Sequence, residues 1–166
     1  MNNHIMRGIR IEKITLNIGC GTAVKTEDAK YIVENISGGK AIITKTRKRT
    51  TFNVPKNKPI GAKVTLRNNC NAVLQRLLEA REVRLPASCF DSSGNFSFGV
   101  KEYIEVPGME YEPKIGILGF DVCITLERPG YRVKKKKLSK KIGKRHRITK
   151  EEAMKFINEK FGVEVS

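Results

Sequence analysis

The sequence has no tryptophan, and its aromatic residues are thin where positive charge is dense. Two long stretches without any Asp or Glu carry only Phe52 and Tyr131 between them. A platform that grips single-stranded nucleic acid stacks successive bases on aromatic rings, so that architecture is excluded, as is its RNP1 signature, which is missing. Histidine is just as scarce. His4 sits near the N-terminus and His146 in a run of cations, and neither has a nucleophile or an acid in motif context. With no GxSxG, HExxH or P-loop either, no enzymatic activity is expected. The four cysteines, Cys20, Cys70, Cys89 and Cys123, never fall within four residues of one another. That excludes a CxxC half-site and a zinc framework, so neither a metal nor any other cofactor is expected. Two of them lie in apolar surroundings and read as buried reduced thiols, which fits a cytoplasmic location. No apolar run approaches the roughly 18 residues of a membrane span, and MNNHIMRGIR lacks the apolar region of a signal peptide.

What the chain has in excess is positive charge, unevenly placed. Its 166 residues carry 33 Lys and Arg against 17 Asp and Glu, a formal charge of +16. Lys40–Arg67 holds nine cations and Arg128–Lys150 twelve, and neither holds an acid. The remaining sequence has 12 cations and 17 acids and is mildly acidic. Ordinary surfaces intersperse both signs, so this segregation points to an anionic partner. The length suits one domain over residues 1–166, burying roughly 70% of its unfolded surface. Within it the pattern marks a basic loop at 48–59, a basic extension at 132–148 and a C-terminal helix at 150–161.

Residues 9–18 alternate, with Ile14, Leu16 and Ile18 on one face and Thr15 and Asn17 on the other, which predicts a half-buried strand. Gly19-Cys20-Gly21 follows, then a helix with Thr26 as N-cap and Ala29, Ile32, Val33 and Ile36 on one side, ended by Gly38 and Gly39. Strand, GxG and helix suggest a dinucleotide site, but Val24 replaces the third glycine and no strand with an acidic end follows; the GxG reads as a plain turn. A strand at 41–47 has Ile42, Thr44 and Thr46 on one face. The loop after it, broken by prolines and asparagines, returns as a strand at 61–67 with Lys63, Thr65 and Arg67 outward. An amphipathic helix is predicted at 71–80 and a hairpin around the turn 91–95, its second strand running from Phe96 to Ile104 and closed by Val106-Pro107-Gly108. Val122, Ile124 and Leu126 line one face of a last strand.

Glu102, Glu105, Glu110, Glu112 and Asp121 form an acidic zone. As paired carboxylates they would suit catalysis or a metal, but without fixed spacing or a neighbouring histidine they read as salt bridges or a solvated rim. The segment RPGYRVKKKKLSKKIGKRHRITK cannot bury one face. Alone it should be mobile and order on RNA, with His146 as one more RNA-facing cation. It ends in Thr149-Lys150-Glu151-Glu152, a capping box, before a helix burying Ala153, Phe156, Ile157 and Phe161 and stopped by Gly162. With few aromatics and much charge, folded RNA held by shape and phosphate is the fitting target.

The order of short runs adds a resemblance. Ile11-Glu12-Lys13 with Leu16-Asn17-Ile18-Gly19, Pro59 through Arg67, Phe90-Asp91 with Gly94 through Gly99, Tyr111-Glu112-Pro113, Ile115-Gly116-Ile117, Glu127 through Val133 and Lys144-Arg145-His146-Arg147 stand in sequence along nearly the whole chain. Together they resemble the large-subunit ribosomal protein family that binds 5S rRNA, called L-five in bacteria and L-eleven in eukaryotes, in its archaeal form. The resemblance implies an α+β fold, a curved and mostly antiparallel sheet with helices on its convex face. It implies a structural constituent of the large ribosomal subunit that helps build the central protuberance. It places Asn17, Thr44, Lys45, Thr65 and Arg67 against 5S rRNA. It puts the loop cations Arg47, Lys48, Arg49, Lys56 and Lys58, with Phe52, at P-site tRNA. Asn53, Pro55 and Asn57 stand there where relatives often have Gly, Arg and Gly. The extension would give Arg132, Lys134, Lys135, Lys136, Lys137, Lys140, Lys141, Lys144, Arg145 and Arg147 to rRNA phosphates. The implied partners are 5S rRNA, large-subunit rRNA, P-site tRNA, neighbouring large-subunit proteins and a small-subunit head protein across the subunit bridge, with no membrane. Two other readings stay open: an RNA-processing enzyme using the acidic zone and a metal, and a general RNA-binding chaperone outside the ribosome.

Overall fold

A computed structural model of the chain describes residues 4–21, 24–49 and 54–165. At its centre is β1 (Arg10–Gly19), in which Ile14, Leu16 and Ile18 are buried in alternation with Thr15 and Asn17. Such a period of two sends one set of side chains into a core and leaves the other set on an open face. β1 pairs antiparallel with β3 (Pro59–Leu66) on one side and β6 (Phe120–Glu127) on the other. β2 (Ile42–Lys45) and β5 (Phe96–Val100) form the edges, giving an open antiparallel sheet of order β2-β3-β1-β6-β5 in an α+β fold.

The inner face is apolar throughout: Ala62 and Val64 from β3, Val122, Ile124 and Leu126 from β6, Phe96, Phe98 and Val100 from β5. α1 (Thr26–Ser37) and α2 (Cys70–Glu79) cover it with stripes at helical spacing, Ala29, Ile32, Val33 and Ile36 from one, Val73, Leu74, Leu77 and Leu78 from the other. Arg76 of α2 donates to the Ile36 carbonyl and joins the two helices. α1 does not start on a Thr26 cap. Lys25 is its N-cap with no side-chain bond, and Glu27 and Asp28 favour the N-terminus instead. Gly38, in the left-handed region at φ 64°, ends it.

The 90–108 region departs from the expected hairpin. The turn at 91–95 is closed by a single bridge, Phe90 to Phe96, and β5 finds its long partner in β6. The strand stops at Val100, where the chain turns inward and buries Tyr103, whose hydroxyl accepts the Glu112 N–H at 2.9 Å. A bulky side chain with a fixed polar tip outweighs continued alternation here. α4 (Lys150–Phe161) opens on the full capping box. Thr149 accepts from the Glu152 N–H, and the Glu152 carboxylate accepts from the Thr149 N–H. Ala153 and Ile157 are buried under it, whereas Phe156 and Phe161 are only half-buried. After Gly162 the chain forms β7 (Glu164–Val165), parallel to β4 (Arg84–Leu85), a pairing with no local signal.

Gly61 marks the tightest point of the sheet. A Cβ there would sit 2.3 Å from the Ile18 carbonyl oxygen of the neighbouring strand. Gly61→Ala is therefore expected to destabilise the protein by about 1–3 kcal/mol, the usual cost of overpacking. Denaturant unfolding should show the midpoint falling without a change in slope; an unchanged midpoint would contradict this account.

Candidate nucleic-acid interface

The strand registers fix what the open face presents. One row across the sheet runs Ile42, Lys63, Asn17, Asp121, Gly99; the next runs Thr65, Thr15, Cys123, Ser97. Thr44 stands opposite Gly61, which stands opposite Gly19. Thus β2, β3 and the upper part of β1 present Thr44, Lys63, Thr65, Thr15 and Asn17 with no carboxylate, while β6 contributes Asp121. Two glycines in one row keep that half low, so a ligand backbone has room to approach. Arg67 lies exposed just past the end of β3, and Lys45 is exposed at a bulge where β2 slips against β3. Lys63 is central to this half. Its outward place follows from its alternation with Thr65, yet the contact residues expected from the sequence are those that flank it.

The base of the basic loop is pinned by one side chain. Thr46 does not share the open face with Ile42 and Thr44; it is buried. Its hydroxyl donates to the Pro55 carbonyl at 2.6 Å and accepts the Lys58 N–H at 3.0 Å. Its backbone bonds Lys58 and Asn57. Asn57 adopts φ 67°, a left-handed conformation that asparagine tolerates better than most residues, so the turn forms without glycine. Arg47, Lys48, Arg49 and Lys56 project from this clamp and are exposed, and Lys58 is half-buried. Phe52 and Asn53 lie outside the described residues.

The basic extension is anchored at both ends. α3 (Arg132–Lys135) follows β6 after the turn Arg128-Pro129-Gly130-Tyr131. A bulge in β1 inserts Glu12 between Ile11 and Lys13, beside Glu127 at the end of β6. Lys135 bridges these two carboxylates, its Nζ 3.1 Å from Glu127 Oε2, while the Arg10 Nε donates to Glu127 Oε1 at 2.9 Å. Burial opposes the charge on Glu127, yet hydrogen bonds from Lys135 and Arg10 outweigh it and hold the carboxyl below its usual value. The far end is held by Arg128, which is 4% exposed. It donates to Glu152 Oε1 at 2.8 Å and to the carbonyls of His146 and Arg147. Tyr131 donates its hydroxyl to the His146 carbonyl and accepts the Ile148 N–H. The His146 ring does not face outward: its Nε2 lies 2.9 Å from the Pro129 carbonyl and donates to it. Between the anchors, Lys136, Lys137, Lys140, Lys141, Lys144 and Arg145 are exposed and have no carboxylate partner among the described residues, as do Arg132 and Lys134.

The acidic zone does not converge. Among the described residues, no three His, Cys, Asp or Glu side chains come together as a metal-holding group. Cys20 and Cys70 are buried and free, Cys89 is half-buried and Cys123 exposed on the sheet face. No helix among the described residues is long and apolar enough to cross a membrane.

Residues 4–51 match the profile of Ribosomal protein L5, and residues 59–156 that of the ribosomal L5 family C-terminus. The chain belongs to the ribosomal protein L5 family. The large ribosomal subunit protein uL5 of Nanoarchaeum equitans is 42% identical over 167 residues, 98% of each chain. That of Cenarchaeum symbiosum is 44% identical over 96% of this chain and 97% of its own. That of Sulfolobus acidocaldarius is 45% identical over 98% of this chain and 93% of its own. This is the archaeal form of the family. Within this L5-family chain, the gap between the two matched segments, residues 52–58, falls in the basic loop and includes the partners of Thr46 at its base, Pro55, Asn57 and Lys58.

A carboxyl whose folded value is lowered stabilises above its unfolded value, and that contribution disappears as pH falls through the folded one. Stability should therefore decline as pH falls from the ordinary carboxylate range through the lowered value, and Glu127→Gln should flatten part of that decline. Glu152, lowered by hydrogen bonds from the Thr149 backbone and Arg128 against the cost of its burial, leaves the remainder. Denaturant midpoints across this range test it. A constant offset between variant and wild type would show that Glu127 contributes no pH dependence.

Proposed function

We propose that this chain docks on 5S rRNA through the carboxylate-free half of its open sheet face and helps build the central protuberance. Membership of the ribosomal protein L5 family makes it a structural, non-enzymatic constituent of the large ribosomal subunit, set among rRNA and other large-subunit proteins. The observation that carries the finer reading is the division of the sheet. Asn17, Thr44 and Thr65 offer short hydrogen-bonding groups on rigid strands, with Lys63 among them and Lys45 and Arg67 at the margin. Groups held on strands recognise a folded backbone by shape at little entropic cost.

In this proposal the loop cations Arg47, Lys48, Arg49, Lys56 and Lys58, with Phe52, meet P-site tRNA. The clamp at Thr46 supports that role, because it fixes the base of the loop while leaving Arg47, Lys48, Arg49 and Lys56 exposed. Arg132, Lys134, Lys136, Lys137, Lys140, Lys141, Lys144, Arg145 and Arg147 neutralise rRNA phosphates. Lys135 belongs to the same stretch, but its charge is already matched by Glu12 and Glu127. The whole chain acts as one RNA-binding unit, and a small-subunit head protein meets it across the subunit interface.

Two measurements with 5S rRNA test this. Thr65→Phe should weaken binding severalfold at every salt concentration without altering the salt slope, since it removes fit rather than a phosphate contact. Replacing Lys134, Lys136 and Lys137 by Gln should shallow the log–log salt slope by roughly 0.7–0.9 for each phosphate left without its cation, and Lys135→Gln should shallow it less. A triple variant with the wild-type slope would remove the extension from the RNA contact. Thr65→Phe binding as wild type would remove the sheet face.

A further inference from the structure

Between the 91–94 turn and the basic extension lies a cavity of about 720 Å³. Tyr131, Ile142 and Ile148 give it an apolar wall, and Lys134, Lys140, Lys141 and Arg147 contribute cations; Asp and Glu are missing from its lining. The volume falls within the range of clefts that enclose small organic ligands. The Tyr131 ring is held rigid by its hydroxyl, which bonds the His146 carbonyl and the Ile148 N–H at 3.1 and 3.0 Å. Arg147 is steadied by its Nε bond to the Ile142 carbonyl. Gly94 lets the turn close over Ile148, since a Cβ there would come within 2.5 Å of an Ile148 methyl. Tyr131 and Arg147 are thus held in place, and the cavity combines an apolar wall with four cations.

We infer that this cavity receives a single nucleotide extruded from the ribosomal RNA, its base against Tyr131 and Ile142 and its phosphates among Lys134, Lys140, Lys141 and Arg147. Charge complementarity selects the occupant. An aromatic, uncharged ring joined to an anionic backbone matches an apolar wall with a cationic mouth, and unstacked bases are what proteins commonly read in RNA. This makes the extension more than a phosphate neutraliser: at one point it recognises a base that the RNA leaves unpaired. The inference rests on the RNA-binding function proposed above.

The test uses the full chain with two probes, 5S rRNA and deproteinised large-subunit rRNA. Ser93→Trp places a bulky ring at the cavity mouth from an exposed turn position and changes no charge. It should weaken binding to one of the probes roughly tenfold, the worth of one stacked base, with an unchanged salt slope and an unchanged melting temperature. Ultraviolet irradiation of the wild-type complex should give a nucleotide-bearing peptide that contains Tyr131, and Ser93→Trp should abolish it. Ile142→Ala, which thins the wall without filling the space, should weaken binding in the same direction. Wild-type affinity in Ser93→Trp, or weaker binding accompanied by a shallower salt slope, overturns the inference while leaving the RNA-binding function standing. Failure of the wild-type chain to bind either probe overturns both.

Discussion

Twelve cations within 23 residues repel one another, and the shape of this protein depends on how that segment is tied to the fold. The solution is a few buried or half-buried contacts at its two ends. At the entry, Glu127 and the bulged Glu12 take up Arg10 and Lys135. At the exit, Arg128 reaches Glu152, which also caps α4. Repulsion between the remaining lysines then works outward. The middle of the segment keeps the cations from Lys136 to Lys141 exposed to an anionic surface, while the Lys140 N–H bonds the Val133 carbonyl and folds the chain back towards α3.

The sheet applies the same economy in another way. Its inner face is uniformly apolar and takes α1 and α2. Its outer face is divided, with threonines, Asn17 and Lys63 on the β2–β3–β1 side and Asp121 on the β6 side. A carboxylate costs little in water but repels a phosphate, so its placement limits where RNA can lie and in which orientation. Gly61 and Gly19 serve the same half. Gly61 lets β1 and β3 approach, and Gly19 has open space above it, so the row they form stays flat.

Much of this was legible along the chain. Ile14, Leu16 and Ile18 mark β1 because strand burial has a period of two. The helical stripes of α1 and α2 declare themselves at the period of 3.6. Thr149 and Glu152 form their capping box over three residues and need no distant partner. The acid-free stretches predict where positive charge accumulates. The positions of Asn17 and Thr65 on an open face follow from their neighbours alone. The residues that local pattern misplaces are those whose role is set from far away. Alternation puts Thr46 on a face with Thr44, but Pro55 and Lys58 bury it. Alternation also extends the strand at Phe96 to Ile104, but Tyr103 is drawn into the core and ends it. His146 reads as one more outward-facing side chain until the fold turns its ring onto the Pro129 carbonyl.

The sequence by itself therefore determined the composition of each face and the location of the charge, because periodicity and acid depletion are local properties of a covalent chain. Only the tertiary structure decided which cations remain free. Lys135 and Lys136 are neighbours of the same type, yet one is matched by Glu12 and Glu127 and the other stands in solvent. A Coulomb interaction depends on distance in space, and residues 12 and 135 become close only when β1 and β6 pair.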